Sequence, residues 1–203
     1  MMRLFIVRHG ESEWNAQRLL QGQADVGLSD RGRDQARALS ATVQRFQPER
    51  VLVSDLARTR ETAELLGYAE HESVPALREI NVGRWTGQNI DDLMTENAQA
   101  FQGWRSGIYT PPGGESWQTF KQRTNGVVAG LRSGAVERAL MVAHGGVIRA
   151  LLEGLLGLSP GRVVPVSPAS LTVLRLGPLN GSAEARLEAF NYRPDALAFD
   201  APD

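Results

Sequence analysis

Residues 4–11 read Leu-Phe-Ile-Val-Arg-His-Gly-Glu: four apolar residues, then an arginine, a histidine and a glycine. An apolar run this short has no face to offer water. It reads as a strand covered on both sides, the usual condition inside a parallel sheet. Two more runs share the form. Residues 51–53 lead into Ser54-Asp55, and residues 139–143 lead into His144-Gly145-Gly146. Helical patterns lie between them. After Ser29 and Asp30, which are good caps, Ala36, Leu39, Val43 and Phe46 recur at steps of three and four until Pro48. Ser54-Asp55 stand where the caps of a second helix would be, running to about Leu66 and stopped by Gly67. Ser116 opens a third long helix to about Leu131, and residues 145–156 form a very apolar fourth that ends at Gly157.

Strands that alternate with helices imply an α/β protein, a three-layer αβα sandwich with a mostly parallel central sheet. Residues 169–176 and 185–190 read as two later strands joined by a turn over 178–182. The polar, proline-containing tail from Arg193 is expected to fray. Residues 75–115 are irregular, with room for one or two short helices such as 90–97, and are expected to form a helical and loop excursion over the active site. No repeat, low-complexity tract or linker divides the chain, so residues 1–203 read as one domain.

Composition narrows the functions. Apolar residues make up 42 % of the 203, charged residues 22 %, and the net charge is −1, which argues against nucleic acid or an acidic membrane as partner. With no cysteine there is no disulfide, thiolate metal site or cysteine nucleophile. Only four apolar residues separate Arg3 from Arg8, too few for a signal peptide or a membrane span, so a cytoplasmic protein is expected. No exposed apolar helix face announces an interface, and a homodimer is compatible with the pattern. Of the 22 basic residues only Lys121 is a lysine. That bias reads first as composition, although the planar guanidinium is the side chain that takes phosphate oxygens two at a time.

In parallel sheets the ligand crevice lies beyond the carboxyl ends of the strands. At those ends stand Arg8 and His9, then Ser54, Asp55 and, one turn on, Arg58, then His144 and Gly145. His71 lies in a polar loop and reads as solvated. Two arginines and two histidines in one crevice call for an anion. Nearby positive charge keeps an imidazole neutral and nucleophilic, and the amino end of the second helix adds to the field. Attack on phosphorus would give a phosphohistidine, with the arginines holding the charge of the transition state. The guanidinium groups supply the positive charge, so no metal or other cofactor is needed. A proton donor for the leaving oxygen must come from the excursion, from Glu79, at the end of an extended 74–78 piece, or from Glu115. A carboxyl facing a phosphate dianion would have its pKa raised.

These residues resemble a family. Residues 4–15, Leu-Phe-Ile-Val-Arg-His-Gly-Glu-Ser-Glu-Trp-Asn, look like the signature of the histidine phosphatase superfamily, the phosphoglycerate mutase-like fold. Further blocks follow in the family's order. They are Gln21-Gly22 through Ala36, residues 54–59, the Glu79-to-Gly87 block, Gly113-Gly114-Glu115-Ser116, and residues 142–146. The resemblance implies that His9 is the nucleophile and that Arg8 and Arg58 bind phosphate. It implies that His144, with Gly145 beside it, contacts the transferring group, and that Glu79 rather than Glu115 is the acid and base. Asn15, Gln21 and Gly22 would make further substrate contacts.

Within the family, primer-dependent mutases are similar only in part. Glu79 is followed here by Ile80-Asn81-Val82-Gly83 instead of an Arg-His-Tyr-Gly-like run, no lysine occurs before residue 121, and the chain is short. The Gly-Gly-Glu-Ser run looks like the phosphatase branch. The expectation is a phosphomonoesterase acting on a small-molecule phosphate ester. The alternatives are a 2,3-bisphosphoglycerate-dependent phosphoglycerate mutase and a non-catalytic phospholigand-binding module. Plainer roles remain for individual residues. Arg58 could pair with Asp55 or Glu61 along its helix. Asn15 and Gln21 could serve turns, and Glu115 could be a helix-start charge. Trp85, Phe101, Trp104 and Tyr109 could line a leaving-group pocket or simply pack the excursion.

Overall fold

The computed structural model describes residues 1–177 and 185–194. In chain order the elements are β1 (Met2–Arg8), α1 (Glu13–Ala16), α2 (Asp30–Gln44), β2 (Arg50–Val53), α3 (Ala57–Leu65) and β3 (Glu72–Ser73). The excursion supplies α4 (Ile90–Glu96) and α5 (Ala98–Arg105), and α6 (Trp117–Arg132), β4 (Arg138–Ala143), α7 (Gly145–Leu156), β5 (Leu171–Leu176) and β6 (Ala185–Tyr192) complete the series. The expected turn at 178–182 and the tail beyond 194 lie outside the described residues.

The strands form one sheet in the order β3-β2-β4-β1-β5-β6. β1, β2, β3 and β4 run parallel, while β5 and β6 add antiparallel. Period-two alternation divides each buried strand between two cores. Leu4, Ile6, Leu52, Met141 and Ala143 face one core with α6, α7 and the excursion. Phe5, Val7, Val53, Leu140 and Val142 face the other, where α2 contributes Leu39 and Val43, α3 contributes Ala63, and Leu66 follows just past its end. These are the three expected layers, and the parallel strands are apolar on both faces because helices cover both. Among the described residues no helix is long and apolar enough to cross a membrane.

The Ser29 and Ser116 caps accept from Gly32 N and Thr119 N as expected, and Gly157 ends α7 at φ 69°. Phe46 lies beyond α2 and stacks on Phe5 at 4.1 Å. Two expectations fail. Ser54-Asp55 do not cap α3, whose N-cap is Leu56 with no side-chain bond. Asp25 reaches across from another loop to accept from Ala57 N at 2.6 Å, which frees Ser54 and Asp55 for tertiary bonds described below. Residues 75–77 are a 3₁₀ turn and not extended, with Pro75 at a position whose φ proline already satisfies.

Candidate active site

Strand register brings the two histidines together. Arg8 is level with Ala143 in the β1–β4 ladder, His9 N donates to Ala143 O at 3.0 Å, and the His9 and His144 rings meet edge-on with centroids 5.2 Å apart. His9 is almost fully buried. Its Nδ1 lies 2.7 Å from Gly10 O. A carbonyl can only accept, so Nδ1 carries the proton and Nε2 keeps its lone pair. Burial, then Arg58, then Arg8 hold its pKa well below the usual 6.5, against the opposing pull of the Gly10 bond. The loop behind it has no slack. A Cβ on Gly10 would lie 2.4 Å from Gly32 O, and one on Gly32 would lie 1.9 Å from Glu11 O.

His144 is fully buried and pairs through Nε2 with Ser54 Oγ at 2.9 Å. Its Nδ1 is buried without a hydrogen-bond partner. Burial first, then Arg58, His9, Arg8 and Arg123 push its pKa well below the ordinary value. His144 does not itself line the cavity.

Arg58, in the first turn of α3, is 1 % exposed. It does not pair with Asp55 or Glu61. Its Nη1 donates to Ala24 O at 2.7 Å and Nη2 to Gly22 O at 2.8 Å, while Nε is buried without a partner. Burial lowers its pKa to about 10, with Glu79 opposing and Arg8 adding to the fall, so it stays charged at neutral pH. Arg8 donates through Nη1 to Val166 O. Both arginines line a cavity of about 120 Å³ with His9.

Asn15, Gln21, Gly22 and Gly145 line the same cavity. Asn15 also serves a turn, since it closes the capping box of α1 with Ser12. Ser12, which had no assigned role, donates from Oγ to Gln21 Oε1 at 2.8 Å and from its backbone N to Asn15 Oδ1 at 3.2 Å. Engaging both amide oxygens leaves the two NH₂ groups as the donors available to an anion. Gly22 has φ 51°, and a Cβ there would lie 2.7 Å from Val82 Cγ2.

Glu79 enters from the excursion. Its carboxylate accepts from Ile80 N at 2.9 Å and from Gly146 N, in the first turn of α7, at 3.0 Å. A Cβ at position 146 would lie 2.1 Å from Glu79 Oε1 and would push the carboxylate aside. Glu115 is elsewhere, paired with Arg123 at 2.8 Å. Arg123 went unassigned in the sequence although it falls on the apolar stripe of α6 with Phe120 and Thr124. A charge on a buried face was the signal.

The rest of the cavity wall is mostly apolar, with Leu19, Ile80, Val82, Ile90, Phe101 and Trp104, and Arg105 and Arg149 add two further cationic side chains to the lining. Both aromatic readings hold in part. Phe101 and Trp104 line the space, whereas Trp85 and Tyr109 do not, and all four pack together with ring centroids 5.5–6.3 Å apart between neighbours. Trp117, from α6, adds a wall that the excursion alone does not supply.

The family model described as "Histidine phosphatase superfamily (branch 1)" matches residues 4–186. A protein of Photorhabdus laumondii named probable phosphoglycerate mutase is 37 % identical over 168 residues, 78 % of this chain and 76 % of that one. A solved mycobacterial glucosyl-3-phosphoglycerate phosphatase, in complex with VO3, superposes with TM-score 0.85 at 32 % identity, covering 94 % of this chain and 99 % of the other. An alpha-ribazole phosphatase from Shigella flexneri superposes with TM-score 0.80 at 29 % identity, covering 95 % and 97 %. On residue order, fold and these matches together, the chain belongs to branch 1 of the histidine phosphatase superfamily.

Proposed function

We propose that the protein hydrolyses small phosphate monoesters through a phosphohistidine on His9. The observation that carries this reading is the state of His9. It is an imidazole with its proton committed to Gly10 O and its pKa lowered first by burial and then by two guanidinium groups that line the same cavity. Those groups attract the anion, and the imidazole attacks it.

In the first half of the reaction the Nε2 lone pair of His9 bonds to phosphorus and the ester P–O bond breaks. The departing oxygen takes its proton from Glu79. Arg8 and Arg58 hold the equatorial oxygens, with Asn15 and Gln21 as neutral donors. In the second half water attacks phosphorus, Glu79 takes the proton back, and the N–P bond breaks to release phosphate. His144, whose ring meets that of His9 edge-on with centroids 5.2 Å apart, would stand beside the transferring phosphoryl group. The apolar wall favours an alcohol portion with hydrocarbon or ring surface. A mycobacterial neighbour solved with VO3 and with inorganic phosphate supports an oxyanion site in this fold.

The mutase reading is favoured by the name probable phosphoglycerate mutase, carried by curated relatives from Photorhabdus, Klebsiella and Escherichia at 34–37 % identity. One assay with p-nitrophenyl phosphate and with 3-phosphoglycerate plus bisphosphoglycerate primer separates the readings. Release of free phosphate, with an acid-labile phosphoryl label on His9, is the expected result. Isomerised phosphoglycerate as the main product would establish the mutase, and turnover of neither would leave a binding module.

A further inference from the structure

Every N–H of Arg123 is spent, two on the Glu115 carboxylate and three on the carbonyls of one strap of chain. Nε donates to Glu115 Oε1 at 2.8 Å, and Nη2 donates to Glu115 Oε2 at 2.8 Å and Glu79 O at 3.0 Å. Nη1 donates to Ala76 O and Arg78 O, each at 2.8 Å. A guanidinium has five donors, so none is left for a ligand. The Arg123 guanidinium carbon lies 4.7 Å from the ring centroid of Phe120, which is fully buried, so the plane of the fork is fixed by stacking as well.

The strap needs such a fixture. Residues 76–79 belong to no strand or α-helix, and their carbonyls would otherwise lack a ladder. Glu115 tightens the same strap on its far side. Glu115 N donates to Asn81 O at 2.8 Å, and Asn81 N donates to Glu115 Oε2 at 3.4 Å. Glycine makes the approach close, since a Cβ on Gly114 would lie 2.9 Å from Asn81 O. The chain on both sides of Glu79 is therefore bonded to the Arg123–Glu115 pair, with Gln23 Nε2 sharing Glu79 O at 3.0 Å.

We propose that Arg123 and Glu115 are a positioning couple that sets where the Glu79 carboxyl meets the leaving oxygen. This rests on the reading of Glu79 as proton donor. Neither residue lines the cavity, so the couple reaches the leaving oxygen through Glu79. A donor displaced by a fraction of an ångström still leaves the phosphate cradle intact, and the defect should show only where proton donation is needed.

The test is kcat/KM for p-nitrophenyl phosphate, whose leaving group departs without a proton, against an alkyl phosphate, whose leaving group needs one. This parameter covers the steps through release of the alcohol, so phosphohistidine hydrolysis does not mask the difference. Glu79→Gln sets the reference. Arg123→Met and Glu115→Gln should each lose about 10- to 100-fold on the alkyl ester and less than about threefold on the aryl ester. The ratio of the two rates within one sample does not depend on how much of the variant is folded. Arg123→Lys should resemble Arg123→Met, because an ammonium cannot span five acceptors. Adding Arg123→Met to Glu79→Gln should leave that ratio where Glu79→Gln alone puts it. Equal losses on both esters in the Arg123 and Glu115 variants, beside a leaving-group effect in Glu79→Gln, would reduce the couple to a staple of the fold and overturn the proposal. Full rescue by Arg123→Lys would overturn it too, by making charge rather than geometry the cause. Absence of any leaving-group effect in Glu79→Gln would instead overturn the donor reading, and the couple with it.

Discussion

His9 and Glu79 face one cavity from two regions that are held by different means. His9, Ser54 and His144 follow directly on β1, β2 and β4, and the strands' own ladder aligns them. Ser54 N donates to Val142 O just as His9 N donates to Ala143 O. Glu79 belongs to a strap outside the sheet. It is held by Arg123, by Gln23 Nε2 on Glu79 O at 3.0 Å, and by the pair that Arg78 makes with Asp55 at 2.5–2.7 Å. The nucleophile's side of the cavity is thus inseparable from the central sheet, while the donor's side is tied on by side chains. The first cannot be shifted without disturbing the core. The second can be loosened one bond at a time with the fold intact.

The largest effect that separates the regions is chemical. His9→Ala should lose on the order of 10⁴-fold or more in kcat on every ester, aryl and alkyl alike, because no ester escapes the need for a nucleophile. A leaving-group dependence like that of Glu79→Gln would erase the distinction between the two sides.

Acid should unfold the protein through the sheet side. The folded pKa values of His9 and His144 lie below 6.5, so the unfolded chain binds protons there that the folded chain refuses. Stability is full above about pH 6.5 and falls as the pH drops toward the folded values, by up to about 1.4 kcal/mol per unit for each histidine. Thermal melts between pH 7 and 5 should show this slope, and His9→Gln/His144→Gln should flatten it. An unchanged slope in the double variant would acquit the histidines.

Smaller still is the effect of single hydrogen bonds. Ser54→Ala strips fully buried His144 Nε2 of its partner and should cost about 1–3 kcal/mol. Gln23→Ala, which removes a partly exposed bond to the strap, should cost less than about 1 kcal/mol. Urea unfolding of the two variants measures both. The reverse order would contradict the division drawn here. EDTA should change nothing at either side, since Arg8 and Arg58 supply the charge that the mechanism needs. Loss of activity that added metal restores would count against that mechanism.

The strand-end side was legible in the sequence for a physical reason. A strand buried on both faces must be wholly apolar, so the polar residues that end each run stand out, and parallel pairing then puts residues 9, 54 and 144 side by side. The strap was not legible from its own pattern. Residues 76–79 have no periodicity because side chains from distant segments satisfy their carbonyls. Glu79 was separated from Glu115 by resemblance and not by chemistry. Ser54 and Asp55 were misread as caps because a serine or aspartate before a helix satisfies the local rule even when its bond is made to His144 or Arg78. Asp25, the residue that does bond Ala57 N, lies 32 positions away, where no local rule looks.

The main-chain contact between positions 10 and 32 has a consequence for mutational drift. The obstacle to a methyl at either place is a carbonyl and not a side chain, so no compensating substitution nearby can make room for it. Change in this protein is therefore channelled away from the nucleophile's loop and toward the apolar wall carried by α5. There the preference for one ester over another can be rewritten while the reacting atoms stay where they are.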